Sequence, residues 1–135
     1  MRLRGVHHIA VICSEYARSK VFYTEVLGLA VVREVHRAER RSYKLDLALP
    51  DGAQIELFSF PDPPARVTRP EACGLRHLAL AVRDLDAAIA TIRRRAQEAG
   101  QNVEIEPVRV DEFTGARFTF FFDPDGLPIE LYETR

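Results

Sequence analysis

Four residues carry the chemistry open to this chain. His8 and Glu56 lie in its first half, His77 and Glu130 in its second. A repeat places them. Residues 50–58 read Pro-Asp-Gly-Ala-Gln-Ile-Glu-Leu-Phe, and residues 124–132 read Pro-Asp-Gly-Leu-Pro-Ile-Glu-Leu-Tyr. Upstream, His8-Ile9-Ala10-Val11 matches His77-Leu78-Ala79-Leu80. Two imidazoles and two carboxylates can hold a divalent cation. Imidazole suits Zn, Ni, Co or Fe, and carboxylates tolerate octahedral sites. Four protein ligands on an octahedral ion leave two positions open. An ion so held polarises a carbonyl or hydroxyl and stabilises an enolate. Taken singly, a strand histidine is usually structural and a late glutamate usually solvated. Two of each in register within a repeat read as a set.

The elements that must position these residues follow from periodicity. A first strand is expected at about 5–13. His7, Ile9 and Val11 fall on one face, and Val6, His8, Ala10 and Ile12 on the other. Ser14 is the expected N-cap of a helix with apolar Ala17, Val21, Phe22, Val26 and Leu27, ended by Gly28. Strands follow near 30–37, 42–49 and 53–60, with Pro50-Asp51-Gly52 as a tight turn. The second half repeats the order. It has a strand at 75–83, Asp84 as N-cap and a helix carrying Leu85, Ile89 and Ile92 that ends at Gly100. Strands near 103–110, 116–122 and 127–133 complete it. The fold class expected is α+β, built of two βαβββ modules at 1–60 and 75–135. A Pro-rich extended arm at 61–74 joins them, since Pro61, Pro63, Pro64 and Pro70 cannot enter a ladder.

Alternation separates chemistry from core. Ile55 and Leu57 share one face, opposite Glu56 and Phe58. Ile129 and Leu131 share one face, opposite Glu130 and Tyr132. Small Ala79 and Ala81 lie beside His77 and leave the space a cavity needs. Lys44 and Asp46 alternate with Tyr43, Leu45 and Leu47 and so join the side of Glu56. Lys44, Asp46, Phe58 and Tyr132, with Arg117 from the second module, are the candidate substrate contacts. His7 reads as a packing or hydrogen-bonding residue, His36 as an exposed strand residue and Glu133 as surface.

Bulk properties exclude other classes. There are 19 Lys and Arg against 20 Asp and Glu, giving a net charge of −1. This is not the basic balance of a nucleic-acid binder. Arg93-Arg94-Arg95 reads as a helix C-terminus, where cations complement the dipole. Arg37, Arg40 and Arg41 form a second local group. Cys13 and Cys73 make no C-x-x-C pair and no disulfide framework, and Cys13 reads as a small buried residue. No signal peptide or membrane span can be drawn, so a reducing cytoplasm is the expected compartment.

These residues resemble the vicinal oxygen chelate superfamily, the glyoxalase/bleomycin-resistance/dioxygenase fold. The likeness rests on His8-Ile9-Ala10-Val11, Phe22-Tyr23-x-x-x-Leu27-Gly28 and Ile55-Glu56-Leu57. It continues in Arg76-His77-Leu78-Ala79 and Asp123-Pro-Asp-Gly-x-x-Ile-Glu130, so it covers essentially the whole chain. It is nearest the lactoylglutathione lyase (glyoxalase I)-like group. The resemblance implies a cup-shaped mixed sheet around one divalent metal ion (Ni, Zn, Co, Mn or Fe). Its ligands would be His8, Glu56, His77 and Glu130. It implies Glu130 as the base that moves a proton between adjacent carbons of a hemithioacetal, with Glu56 as the opposite carboxylate. It also implies a homodimer acting on a small molecule, with the site formed within one chain or across two. Two positions depart from the glutathione-using pattern. Ile12 stands where an Arg is usual, and Phe60 where an Asn is expected.

Three functions follow. The first is a metal-dependent glyoxalase-type lyase or isomerase acting on an α-oxo or hemithioacetal-type substrate through an enediolate. The second is another metal-dependent member, an epimerase or an antibiotic thiol transferase. The third is a non-enzymatic small-molecule-binding protein, against which the four ligands argue.

Overall fold

The computed structural model describes residues 1–135. The chain divides into two compact units, residues 1–64 and 65–135. Each holds one mixed four-stranded sheet and one main helical segment, so the class is α+β.

In the first unit β1 (His8–Cys13) leads to α1 (Tyr16–Val21), β2 (Ala30–Arg37), β3 (Ser42–Ala48) and β4 (Gln54–Ser59). The sheet order is β1-β4-β3-β2. β1 runs parallel to β4, and the other pairs are antiparallel. The helical segment differs from the sequence expectation. Glu15, not Ser14, takes the N-cap position, and no side-chain cap bond forms. From Phe22 to Val26 the helix widens to a π turn, with the Leu27 N–H donating to the Phe22 carbonyl at 3.0 Å. A wider turn lets the adjacent Phe22 and Tyr23 both enter the core, where their rings meet edge to face. Under them lie Val11, Cys13, Leu45, Leu47, Ile55 and Leu57, all buried. These are the alternate positions of β1, β3 and β4, as the period of two requires.

In the second unit β5 (Leu78–Val82) leads to α2 (Leu85–Glu98), β6 (Arg109–Val110), β7 (Arg117–Phe122) and β8 (Pro128–Glu133). The order is β5-β8-β7-β6, with β5 parallel to β8. Asp84 caps α2 by accepting from the Ala87 N–H at 2.9 Å. Leu85, Ile89, Ile92 and Ala96 are its buried stripe. The expected strand at 103–110 shrinks to two residues. Pro107 has no N–H to give a ladder, and upstream one backbone bond remains, from the Glu106 N–H to the Phe120 carbonyl at 2.8 Å. The matched turns at Asp51-Gly52 and Asp125-Gly126 need φ of +91° and +86°, which glycine adopts without a Cβ clash.

Residues 65–76 belong with the second unit. Thr68 Oγ1 donates to the Gly126 carbonyl at 2.8 Å, and Arg66 Nη2 to the Leu75 carbonyl at 2.5 Å. Glu133 and Arg117 correct the sequence reading. Arg117 Nε and Nη2 bind Glu133 at 2.9 and 2.8 Å, and Arg117 Nη1 binds Asp86 at 3.0 Å. Glu133 also accepts from the Leu85 N–H at 3.0 Å. The pair thus ties β7 and β8 to the start of α2, on the face opposite Glu130. Glu133 is half-buried rather than a free surface residue.

The Arg117 guanidinium, followed by the Leu85 N–H, holds the Glu133 carboxyl at about 2, below its ordinary 4.5. A lowered folded value stabilises the fold above the ordinary value and ceases to do so as pH falls through the folded one. Glu133→Gln should therefore melt below the wild type at pH 7. The gap should close as pH drops from about 4.5 towards 2. Thermal melts across that range check it, and a gap independent of pH would contradict the assignment.

Candidate functional site

Parallel pairing sets the first His–Glu pair. β1 lies beside β4 with Ala10 opposite Glu56, and His8 is two residues earlier, opposite Gln54. Residues two apart share a face, so His8 and Glu56 lie on one side of the sheet. The small side chain of Ala10 leaves the diagonal between them open. His8 Nε2 stands 3.7 Å from Glu56 Oε2. The Nδ1 atoms of His7 and His8 share a hydrogen bond at 2.8 Å, which leaves His8 Nε2 facing the carboxylate. His7 precedes the strand and is exposed, so it packs against no helix.

Cross-strand register adds Lys44, Asp46 and Phe58 to that face. Asp46 pairs with Glu56, and Lys44 with Phe58. Lys44 Nζ donates to Asp46 Oδ1 at 2.5 Å and to Glu56 Oε1 at 3.1 Å. Arg33 donates to Asp46 Oδ2 through Nη2 at 2.8 Å and Nε at 3.1 Å. Burial pushes the Asp46 carboxyl up, but the bonds from Lys44 and Arg33 more than offset this and hold it below its ordinary value. The bond to Asp46 in turn raises Lys44, against desolvation. Asp46 is only 2% exposed. It anchors two cations instead of presenting itself to a ligand, while Lys44 also reaches Glu56.

The second unit repeats the geometry with different surroundings. Ala79 lies opposite Glu130, and Phe120 lies opposite it on the other side. His77 stands just ahead of β5, and its Nε2 is 2.9 Å from Glu130 Oε2. The edge of its ring meets Phe120, with centroids 5.2 Å apart. A cavity of about 350 Å³ opens on this pair. Its walls include Arg109, Phe118, Phe120 and Phe122. Arg109 lies over the Phe118 and Phe120 rings at 5.2 and 5.3 Å and donates to Glu106 at 2.9 Å. The sequence reading missed these walls. The signal was there: alternation through Arg-Phe-Thr-Phe-Phe-Phe at 117–122 puts three Phe on the face of Glu130. Tyr132 shares that face but is held by Asp111 at 2.9 Å and by Thr114. Arg117, expected to meet substrate, lies on the helix side and is occupied by Glu133 and Asp86.

The donor chemistry fits a divalent ion. Two neighbouring ligands of one octahedral ion, each bonded at about 2.1 Å, stand about 3 Å apart. His77 and Glu130 meet this spacing, and His8 and Glu56 are slightly wider. Within neither unit does a third His, Cys, Asp or Glu converge on the pair. Both Glu side chains are mostly buried yet reachable, at 17% and 11% exposure for Glu56 and Glu130.

Comparison with known proteins agrees with this architecture. Residues 5–131 match the family model of the Glyoxalase/Bleomycin resistance protein/Dioxygenase superfamily, and the chain belongs to that superfamily. It is 57% identical to the uncharacterized protein YwkD of Bacillus subtilis (strain 168), over 98% of this chain and 99% of that one. It is 56% identical to the uncharacterized protein YaeR of Escherichia coli (strain K12), over 97% of each. A 2-epi-5-epi-valiolone epimerase of Actinomyces sp. is 28% identical over 94% of this chain and 78% of that one. Among solved structures, a glyoxalase family protein from Enterococcus faecalis superposes with a TM-score of 0.85 at 48% identity. The match covers 98% of this chain and 100% of that one. At fold level a glyoxalase I mutant from Zea mays superposes at 0.75, with 18% identity. That match spans 93% of this chain and 44% of that one.

Asp46→Asn should cost about 2 kcal/mol, because it strips charge from a buried carboxylate that holds two cations. Urea denaturation at pH 7 measures this. An unchanged midpoint would mean that Lys44 and Arg33 repartner at no cost.

Proposed function

We propose that this chain is a metal-dependent glyoxalase I-like lyase or isomerase. The substrate class is a small α-oxo compound or its hemithioacetal. The observation that carries the reading is the pair of His–Glu contacts, in one register, on the polar face of each unit's sheet. His8 and Glu56 from one unit and His77 and Glu130 from the other would hold one ion of Ni, Zn, Co, Mn or Fe. The four-ligand set is completed within one chain or between the chains of a homodimer. The 48% identity to a glyoxalase family protein supports the group.

When bound, the ion supplies positive charge that stabilises the enediolate oxygens of the substrate. Glu130 takes the proton from one substrate carbon at its carboxylate and returns it to the neighbouring carbon. Glu56 serves the opposite side, and Lys44 fixes its Oε1 so that Oε2 faces His8. Phe118 and Phe120 offer the substrate's apolar part a wall beside the pair. The 28% identical epimerase favours a second reading, in which the same carboxylates invert a carbon centre. An antibiotic thiol transferase would use the same face.

The test is metal content followed by turnover. Purified protein should hold about one ion per four-ligand set, and His77→Ala should lose it. Protein loaded with each metal in turn is then given methylglyoxal with glutathione and with other small thiols. A thioester should form with at least one thiol, and Glu130→Gln should slow it by about a hundredfold or more. Absence of thioester with every thiol, while a control glyoxalase works, would refute the lyase reading. Metal-free wild type with unaltered ligand binding in His8→Ala and Glu130→Ala would instead establish a sequestering protein.

A further inference from the structure

The polar face of the first unit carries one cation that nothing so far employs. Arg37 ends β2, directly opposite Ser42 on β3. Lys44 follows two residues after Ser42 and pairs with Phe58, so Arg37, Lys44 and Phe58 share the face of Glu56. Arg37 and Lys44 both lie over the Phe58 ring. The guanidinium carbon is 5.3 Å from the ring centroid and the ammonium nitrogen 5.8 Å. Phe60 stacks on Phe58 with planes 7° apart, extending an apolar platform beside the two charges.

The hydrogen-bond accounting leaves donors over. Arg33 and Lys44 are matched by the carboxylates of Asp46 and Glu56. Arg37 has no carboxylate partner. Its Nη2 donates weakly to Ser42 Oγ at 3.3 Å, and its Nε is shielded from solvent with no acceptor. Lys44 spends two of its three N–H donors on Asp46 and Glu56. Three cations therefore face two carboxylates, and the spare donors, on Arg37 and Lys44, belong to groups above one ring. The Nε–H is closed to a ligand, so an anion meets the guanidinium through its Nη N–H groups, which make one weak bond, to Ser42.

We propose that Arg37, with Lys44, forms an anion subsite above Phe58 that takes the carboxylate or phosphate of a small acidic substrate. The proposal rests on the reading that this face meets substrate. Ile12, opposite Phe58, and Phe60, stacked on it, bring no charge to this face. Arg37 supplies the anion contact from a different strand, at the far edge from His8. The substrate then lies with its reacting carbons towards Glu56 and its acidic group towards β2. A planar guanidinium suits either oxyanion, by two parallel N–H···O bonds.

The test reads Arg37 directly, without metal or turnover. Full-length, metal-free, ¹⁵N-labelled protein is titrated at constant ionic strength with inorganic phosphate, with pyruvate and with uncharged hydroxyacetone. The Nε–H resonance of Arg37 should shift saturably with at least one anion and not with hydroxyacetone. Preference between phosphate and pyruvate tells which oxyanion fits. Followed through the backbone amides of Lys44 and Phe58, which every variant keeps, Arg37→Gln should weaken that binding about tenfold or more, and Arg37→Lys should recover part of it. The idea fails if neither anion gives a saturable shift. It fails too if Arg93 on α2 shifts equally, or if a folded Arg37→Gln binds like the wild type. Loss of the lyase reading, through absent metal or absent thioester, leaves this measurement untouched. Failure here with intact turnover removes only the anion subsite.

Discussion

The structure depends on the parallel pairing of each unit's first strand with its last. A parallel pair cannot be closed by a tight turn, so the chain must cross over, and a helix makes the crossing. That helix covers one face of the sheet and claims the aliphatic residues: Leu45, Leu47, Ile55 and Leu57 in one unit, Leu78, Ile129 and Leu131 in the other. The polar face is what remains. Because β1 abuts β4 and β5 abuts β8, a histidine early in the unit comes to lie beside a glutamate late in it. Sequence separations of 48 and 53 residues collapse to side-chain distances of 3.7 and 2.9 Å.

The two units share this backbone logic and diverge in what surrounds it. Around Glu56 the neighbours are charged, and Lys44, Asp46 and Arg33 form a chain of ion pairs. Around Glu130 they are aromatic, and Phe118 and Phe120 wall a cavity. Lys44 orients the Glu56 carboxylate through a hydrogen bond to Oε1. Glu130 instead meets His77 and the Phe120 ring, beside a cavity whose wall also carries Arg109 and Glu106. The repeat thus keeps the His and Glu types and varies what surrounds them.

Charge is also used away from the site. Glu133 and Arg117 spend their ionic groups on joining β7, β8 and the start of α2. Glu133 is three residues from Glu130 on an extended strand, so it points to the other face and takes a structural task. Tyr16 shows the same division in the first unit. Burial raises its phenol above the usual range, and its hydroxyl and Lys20 both bind Glu34 on the helix side of the sheet.

Much of this was legible in the residues alone. The repeat, the strand alternation and the glycine-ended helices determine two βαβββ modules and which residues share a face with each Glu. Those are local properties, set by periods of two and 3.6 along the chain. The long-range partners were not legible. Arg117 looked available until β7 turned it to Glu133 and Asp86, and Asp46 looked open until Arg33 and Lys44 enclosed it. The π turn at Phe22–Val26 and the shortening of the 103–110 strand likewise depend on what packs or pairs across space. The sequence by itself determined the two His and two Glu and the faces they share. Only the tertiary structure decided which charged groups are already neutralised and which, like Arg37, are left with a donor to offer. Ion pairing is settled by neighbours from other strands, and no local pattern records them.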